Sequence, residues 1–152
     1  MPNAAKSDPG SGRAVTAFPG ELDVIVEVPR WDFVKRSEQG RIELISPLPC
    51  PFNYGSVLDT RAADGDREDV VLLGPRLSRG SHVRVPVLGC VHFIDAGHDD
   101  AKWVCGANAL GPAERLQLEL FFGTYARLKW LLNALLLQRG RTLYAGLELR
   151  PE

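Results

Sequence analysis

The sequence predicts a mainly β domain with one long helix, in the form of a small five- to six-stranded OB-like barrel with the C-terminal helix packed on it. Two observations carry this prediction. Short runs rich in β-branched residues, bounded by Gly and Pro, fill the first two-thirds of the chain, and a segment with helical periodicity follows them. Several short strands followed by one helix are typical of a small barrel that packs a helix on its surface.

The predicted strands are apolar or alternating runs that end at turn residues. Five runs meet this criterion, at 22–28, 40–45, 69–73, 81–94 and 101–105. The first, LDVIVEV, ends at Pro29, and the third, DVVLL, is closed by Gly74 and Pro75. The fourth is either one long strand or two consecutive strands, with Pro86 and Gly89 as bend points.

The helix is predicted over residues 112–138. Pro112 suits a first turn, where its missing N–H costs nothing, and Gly140 is a plausible stop. A broad apolar face is expected to form from leucines at helical spacing, namely Leu116, Leu120, Leu128, Leu131 and Leu135. Residues 142–149 are expected to return as a last strand.

Composition limits the class of protein. Residues 1–20 are rich in Gly, Pro, Ser and Ala and read as a disordered tail, which leaves 21–152 as a single domain. This tail has no apolar signal core, so we expect a cytoplasmic protein, and no apolar run is long enough to predict a membrane span. The net charge of -1 argues against a nucleic-acid partner. Cys50, Cys90 and Cys105 suggest neither a disulfide framework nor a zinc site, since they are odd in number and form no CxxC pair.

The segment DGDRED holds Asp64, Asp66 and Asp69 directly before an apolar strand. Gly65 allows a turn, so the three carboxylates can converge at the mouth of a sheet, where they would repel one another without a hard cation. A solvated acidic loop explains the same spacing, and both interpretations stay open here. An EF-hand is excluded, because its sixth position would be Asp69 and its twelfth Pro75.

A second acidic segment, DAGHDDAK, follows the strand predicted at 81–94. It contains Asp95, Asp100 and Lys102. Two acidic strand ends that face each other would make an oxygen-rich pocket suited to Mg²⁺, with Lys102 near a metal-bound anion.

Five segments in this order resemble the family I (soluble) inorganic pyrophosphatases between about residue 24 and residue 130. They are VIVEVP with Glu27, PFNYG with Tyr54, DGDREDVVLL, VRVPVLGCVHFID followed by DDAK, and FFGTY with Tyr125. The resemblance implies hydrolysis of pyrophosphate, or a related phosphoanhydride, with Mg²⁺ or Mn²⁺ as the cofactor. It also implies a homo-oligomer, either a hexamer or a dimer.

The resemblance assigns roles to individual residues. It implies metal ligation by five aspartates, Asp64, Asp66, Asp69, Asp95 and Asp100. Asp66 would also orient or deprotonate the attacking water. Tyr54, Lys102 and Tyr125 would contact phosphate oxygens, and Glu27 would support the site.

Several cations of the family pattern are missing. Asp32, Ser46 and Ala126 align with a family lysine, arginine and lysine, respectively. At the first of these positions, a gap in the alignment could instead bring Lys35 or Arg36 inward. Each hydrogen bond to a charged group contributes about 1.5–3 kcal/mol, so losing three costs about 4–9 kcal/mol, or about three to six orders of magnitude in rate. The expected enzyme is therefore impaired.

Two further features bear on function. Arg67 occupies the position of the proline in the family signature, and it could replace a lost charge or block the pocket.

Apolar residues crowd the end of the helix, at Trp130, Leu131, Leu132, Leu135, Leu136 and Leu137. One barrel covers one helical face, so the excess favours a homo-oligomer. The alternative function is a degenerate, metal-binding, non-catalytic member that acts as a partner or binds another phosphate compound.

Overall fold

The computed structural model of the protein describes residue 15 and residues 17–32, 34–36, 39–45, 48–58, 60 and 67–152, with the backbone alone at 36 and 43–45. The described residues form nine strands and one helix. In chain order these are β1 (Glu21–Val28), β2 (Val34–Arg36), β3 (Ile42–Ile45), β4 (Asn53–Val57), β5 (Asp69–Leu72), β6 (His82–Asp95), β7 (His98–Asp99), β8 (Lys102–Cys105), α1 (Pro112–Leu135) and β9 (Leu143–Leu149).

Five strands close into a ring in the order β1-β4-β5-β8-β6, because β6 also pairs with β1. Within this ring only β5 and β8 run parallel. Strands β7 and β9 pair with β6 outside the ring, and β2 and β3 form a separate two-stranded sheet. The ring confirms the predicted small, mainly antiparallel barrel-like class.

Strand β6 is a single run of 14 residues, as one of the two sequence alternatives has it. It pairs with β1 through its first half and with β8 and β9 through its second half. The register on β8 shifts between Val87 and Gly89. A Cβ at Gly89 would lie 2.5 Å from the carbonyl oxygen of Glu148, so only glycine lets β9 approach at this point.

Two apolar clusters stabilise the fold. All five ring strands contribute to the first, which lies inside the ring: Val24, Val26, Val57, Val70, Leu72, Val85, Val87 and Cys105. The second lies between the ring and the helix, where Val71, Val91 and Val104 meet Leu118 and Phe122. Alternation along β1 sends successive side chains to opposite sides, as the period of two residues requires.

The helix begins at the predicted Pro112 and ends at Leu135, three residues before the predicted end. The predicted face of regularly spaced leucines is not the face that packs on the ring. Leu116, Leu120, Leu131 and Leu135 are 50–73% exposed, whereas the buried residues are Leu118, Phe122, Ala126 and Asn133. Two apolar stripes run along this helix, and hydrophobic spacing alone does not decide which stripe packs on the ring.

Ordered contacts begin before the predicted domain boundary at residue 21. The Phe18 ring packs edge-on against Trp103 at 5.9 Å, and the Val15 N–H donates to Glu148 Oε2 at 3.1 Å. Most of the predicted tail, residues 1–14 and 16, lies outside the described residues.

Candidate active site

The site is centred on Lys102, where the parallel pair β5–β8 begins. The register places Asp69 opposite Lys102, so the side chains at the start of both strands meet at one edge of the ring. The Lys102 ammonium lies 3.4 Å from Asp69 Oδ2 and 2.9 Å from Asp100 Oδ2, and it donates to the Asp100 carbonyl at 3.0 Å. The Lys102 side chain is only 5% exposed. Two carboxylates therefore converge on one buried cation.

Burial and ion pairing oppose each other at this cluster. Burial alone would lower the pKa of Lys102, but the carboxylates of Asp100 and Asp69 outweigh it and raise that pKa above its usual value. Burial raises the pKa of Asp100, and the Lys102 ammonium offsets this only in part. Lys102 is thus a permanent cation at neutral pH.

Two tyrosines belong to the site: Tyr54 lies beside the Lys102 ammonium, and Tyr125 lies beside the Lys129 ammonium. Tyr54 comes from β4, and the Lys102 ammonium lies 5.9 Å from the centre of its ring. Burial, followed by the charge of Asp69, raises the pKa of Tyr54 well above its usual value, so its hydroxyl remains a hydrogen-bond donor. Tyr125 comes from the helix and stacks on Phe121 at 5.7 Å.

Asp95, at the end of β6, is held by protein donors on both oxygens. Its Oδ2 lies 3.1 Å from the Lys129 ammonium, and its Oδ1 accepts from Asn133 Nδ2 at 2.9 Å and from Thr142 Oγ1 at 3.4 Å. Burial would raise the pKa of Asp95, but Asn133 and Lys129 together lower it below its usual value.

Glu27, on β1, lies near the edge of the ring that carries Asp69. Its Oε1 accepts from Ser56 Oγ at 3.0 Å, and its Oε2 lies 3.1 Å from the Lys35 ammonium. Ser56 stands opposite Asp69 in the β4–β5 register. Glu27 therefore ties Lys35 of β2 to the edge of the ring that carries Asp69.

A cavity of about 150 Å³ lies between the ring edge and the helix, and neither Asp95 nor Glu27 is among the described residues that line it. Five predicted site residues line it, namely Tyr54, Asp69, Asp100, Lys102 and Tyr125. Lys35 and Lys129 line it as well. Cys50 also lines it, and burial raises the pKa of this thiol to about 11, so it is neutral.

Predicted residues Asp64, Asp66 and Ser46 lie outside the described residues. Among the described residues, no group of three or more His, Cys, Asp and Glu side chains is arranged to hold a metal ion. The carboxylates of Asp69 and Asp100 are nevertheless the hard oxygen donors that Mg²⁺ prefers, and they already share one cation.

Lys129 is a pocket residue that the sequence analysis missed. It follows Tyr125 by four residues, so both lie on one helical face, and this spacing was the available signal. Lys35 was raised as a replacement cation, and it does line the cavity. Asp32, at the aligned position of a family lysine, also lines the cavity, and its carboxylate is paired with Arg76 and Arg79 at 3.3 and 3.7 Å.

A family model described as inorganic pyrophosphatase matches residues 24–133, well over half of the chain. The chain belongs to the inorganic pyrophosphatase family. The inorganic pyrophosphatase of Ralstonia nicotianae is 34% identical over 106 residues, which cover 63% of this chain and 61% of that protein. The match therefore spans less than two-thirds of the length of the Ralstonia nicotianae protein.

Solved pyrophosphatase structures share the fold. An inorganic pyrophosphatase from Neisseria gonorrhoeae aligns with a TM-score of 0.66 at 27% identity, over 85% of this chain and 82% of that one. One from Thermus thermophilus aligns with a TM-score of 0.69 at 24% identity, over 95% of this chain and 91% of that one, a likeness of fold alone. Within the described residues, no helix is both long and apolar enough to cross a membrane.

Proposed function

We propose that this chain hydrolyses inorganic pyrophosphate to two phosphates in a reaction that depends on Mg²⁺, or on Mn²⁺ in its place. The observation that carries the proposal is the convergence of Asp69 and Asp100 on the Lys102 ammonium in a cavity that Tyr54 and Tyr125 also line. Membership of the pyrophosphatase family supports the same substrate.

The cavity suits a small, highly charged anion. Phosphoryl transfer depends mostly on positioning and on neutralising charge at the phosphate oxygens. Lys102, Lys35 and Lys129 supply three ammonium groups, and the hydroxyls of Tyr54 and Tyr125 can donate hydrogen bonds to phosphate oxygens. A volume of about 150 Å³ fits such an anion better than a drug-sized ligand, which needs about 300–1,000 Å³.

The carboxylates give the site its metal preference. By the family resemblance, Asp64, Asp66, Asp69 and Asp100 would hold Mg²⁺. The same resemblance assigns Asp95, but Lys129, Asn133 and Thr142 already occupy its two oxygens in this chain. When bound, Mg²⁺ supplies charge neutralisation and acidifies water. Asp66 would orient the attacking water by accepting its hydrogen bond and would take its proton, so that the nucleophile approaches phosphorus in line with the leaving phosphate.

The rate deficit is expected to be smaller than the sequence alone predicts. Lys35 and Lys129 line the cavity, each paired with a carboxylate at 3.1 Å (Glu27 and Asp95). Each ammonium has several N–H donors, so it can also contact a phosphate oxygen, and two of the three missing cations have replacements nearby. If only the arginine aligned with Ser46 is missing, one charged hydrogen bond of about 1.5–3 kcal/mol is lost, which corresponds to about one to two orders of magnitude in rate.

Neighbouring aspartates provide a matched test. Asp100 pairs with Lys102 in the cavity, whereas Asp99 is exposed on β7. We expect Asp100→Asn to lower Mg²⁺-dependent phosphate release by about 100-fold or more, the scale seen when one preorganised catalytic group is removed. Asp99→Asn should stay within threefold of the wild type. Equal rates in both variants would contradict the site, and no release by folded wild type would favour the non-catalytic alternative.

The setting of the enzyme is part of the proposal. We propose that it works in the cytoplasm and has no nucleic-acid partner, in keeping with the net charge of -1.

We also propose that the protein forms a homo-oligomer, either a hexamer or a dimer. The support is the apolar helix face formed by Leu116, Leu120, Leu131 and Leu135, which the ring leaves uncovered.

A further inference from the structure

Lys129 and Asp95 form a closed ion pair at the rim of the cavity. We propose that the Lys129 ammonium takes the place of one divalent ion at Asp95, so that Asp95 is not a metal ligand in this chain. The inference rests on the proposed function, since it concerns which carboxylates would hold Mg²⁺.

Both oxygens of Asp95 already have partners from the protein. Lys129 Nζ lies 3.1 Å from Oδ2, and Asn133 Nδ2 and Thr142 Oγ1 lie 2.9 and 3.4 Å from Oδ1. The side chains of Lys129 and Asp95 are 19% and 25% exposed, so the pair is largely shielded from water.

The donors are themselves held in place. Asn133 follows Lys129 by four residues, so both reach Asp95 from the same face of the helix. Asn133 is 5% exposed and also donates to Thr142 Oγ1 at 3.0 Å. Thr142 Oγ1 in turn accepts from the Ala96 N–H at 3.0 Å. Releasing Asp95 to a metal would break a buried network that joins the helix, β6 and the residue before β9.

Charge balance separates Asp95 from Asp69 and Asp100, the other two predicted metal ligands among the described residues. Asp69 and Asp100 share the single ammonium of Lys102, so one negative charge remains there to attract a cation. In the part of the chain that the structure describes, Lys129 is paired with Asp95 alone, and this pair is neutral. A divalent ion on Asp95 Oδ2, at the usual Mg–O distance of about 2.1 Å, would lie within about 5 Å of that ammonium and be repelled by it.

The test is a titration of the full-length chain with Mn²⁺ in the absence of substrate, with free Mn²⁺ followed by electron paramagnetic resonance. Asp95→Asn should change the Mn²⁺ affinity by less than threefold, because Asp95 binds no metal. Lys129→Met should add one Mn²⁺ per chain or tighten the weakest site at least tenfold, because it frees Asp95. The double variant Lys129→Met/Asp95→Asn should lose that gain.

Two controls isolate the ion pair. Arg127→Met removes the same charge from an exposed position two residues away and should give no gain, and Lys129→Arg keeps a cation and should also give none. A tenfold weaker affinity in Asp95→Asn alone, or no gain in folded Lys129→Met, would overturn the inference. Each comparison is made against the wild type, whatever its own Mn²⁺ count. A wild type that binds no Mn²⁺ and releases no phosphate would instead overturn the proposed function.

Discussion

Ala126 packs in the apolar cluster between the helix and the ring and is only 5% exposed. A lysine at this position would force a longer, charged side chain into a packed core. We expect Ala126→Lys to lower the free energy of unfolding by about 3 kcal/mol or more, from overpacking and from burial of an unpaired charge. Urea denaturation measures this, with Ala134→Lys, at an exposed position of the same helix, as the control. Equal midpoints for the two variants would show that Ala126 is not buried.

The residues that line the pocket show which site residues can be predicted from the sequence and which cannot. Lys102 and Tyr125 were predicted because they stand in segments that resemble the family motifs, DDAK and FFGTY, and both line the cavity. Lys129 was missed, because a lysine one helical turn beyond Tyr125 belongs to no motif, although the helix brings it to the same face. The role of Asp66 stays a prediction, since it lies outside the described residues.

Gly55 lets strand β4 approach β1 closely enough to pair with it in the ring. A Cβ at Gly55 would collide with the carbonyl oxygen of Ile25, a backbone atom that cannot move without opening the β1–β4 pair. We expect Gly55→Ala to destabilise the fold by about 2 kcal/mol or more, as overpacking does.

Gly123 is the matched glycine on the helix, because no heavy atom lies within 4 Å of the Cβ that alanine would add. Gly123→Ala should stabilise the protein by about 0.5–1 kcal/mol, since alanine is the better helix former. Thermal melts of both variants measure the contrast. A melting temperature that rises or stays the same for Gly55→Ala would contradict the packing described for β4.

Elements with a strong period were predicted, and elements that depend on tertiary contacts were not. Six elements begin within one residue of their predicted starts, because each follows an apolar pattern bounded by turn residues: β1, β5, β6, β8, β9 and α1. β4 has the sequence NYGSV, whose Asn, Gly and Ser disfavour a strand in isolation, yet it is buried by pairing on both sides. Two residues of β7 are too few to leave any pattern.

The uncovered apolar helix face bears on the whole molecule. If it is the contact between copies of the chain, Leu131→Lys with Leu135→Lys should convert the oligomer to single chains, because lysines placed in the contact are desolvated and repel across it. Light scattering at micromolar concentration measures the mass. Leu149→Lys, 40% exposed on β9, is the control that should leave the mass unchanged. A wild-type mass equal to one chain would contradict the proposed assembly.

The activity proposed for the whole molecule is the hydrolysis of pyrophosphate in the cavity between the ring and the helix, with the help of a divalent ion. The most direct measurement is phosphate release from pyrophosphate by the purified full-length chain, with Mg²⁺ and then with the ion chelated. We expect two phosphates per pyrophosphate with Mg²⁺, no release after chelation, and no release by Asp66→Asn at any Mg²⁺ concentration. Release that survives chelation, or that survives Asp66→Asn unchanged, would contradict the account.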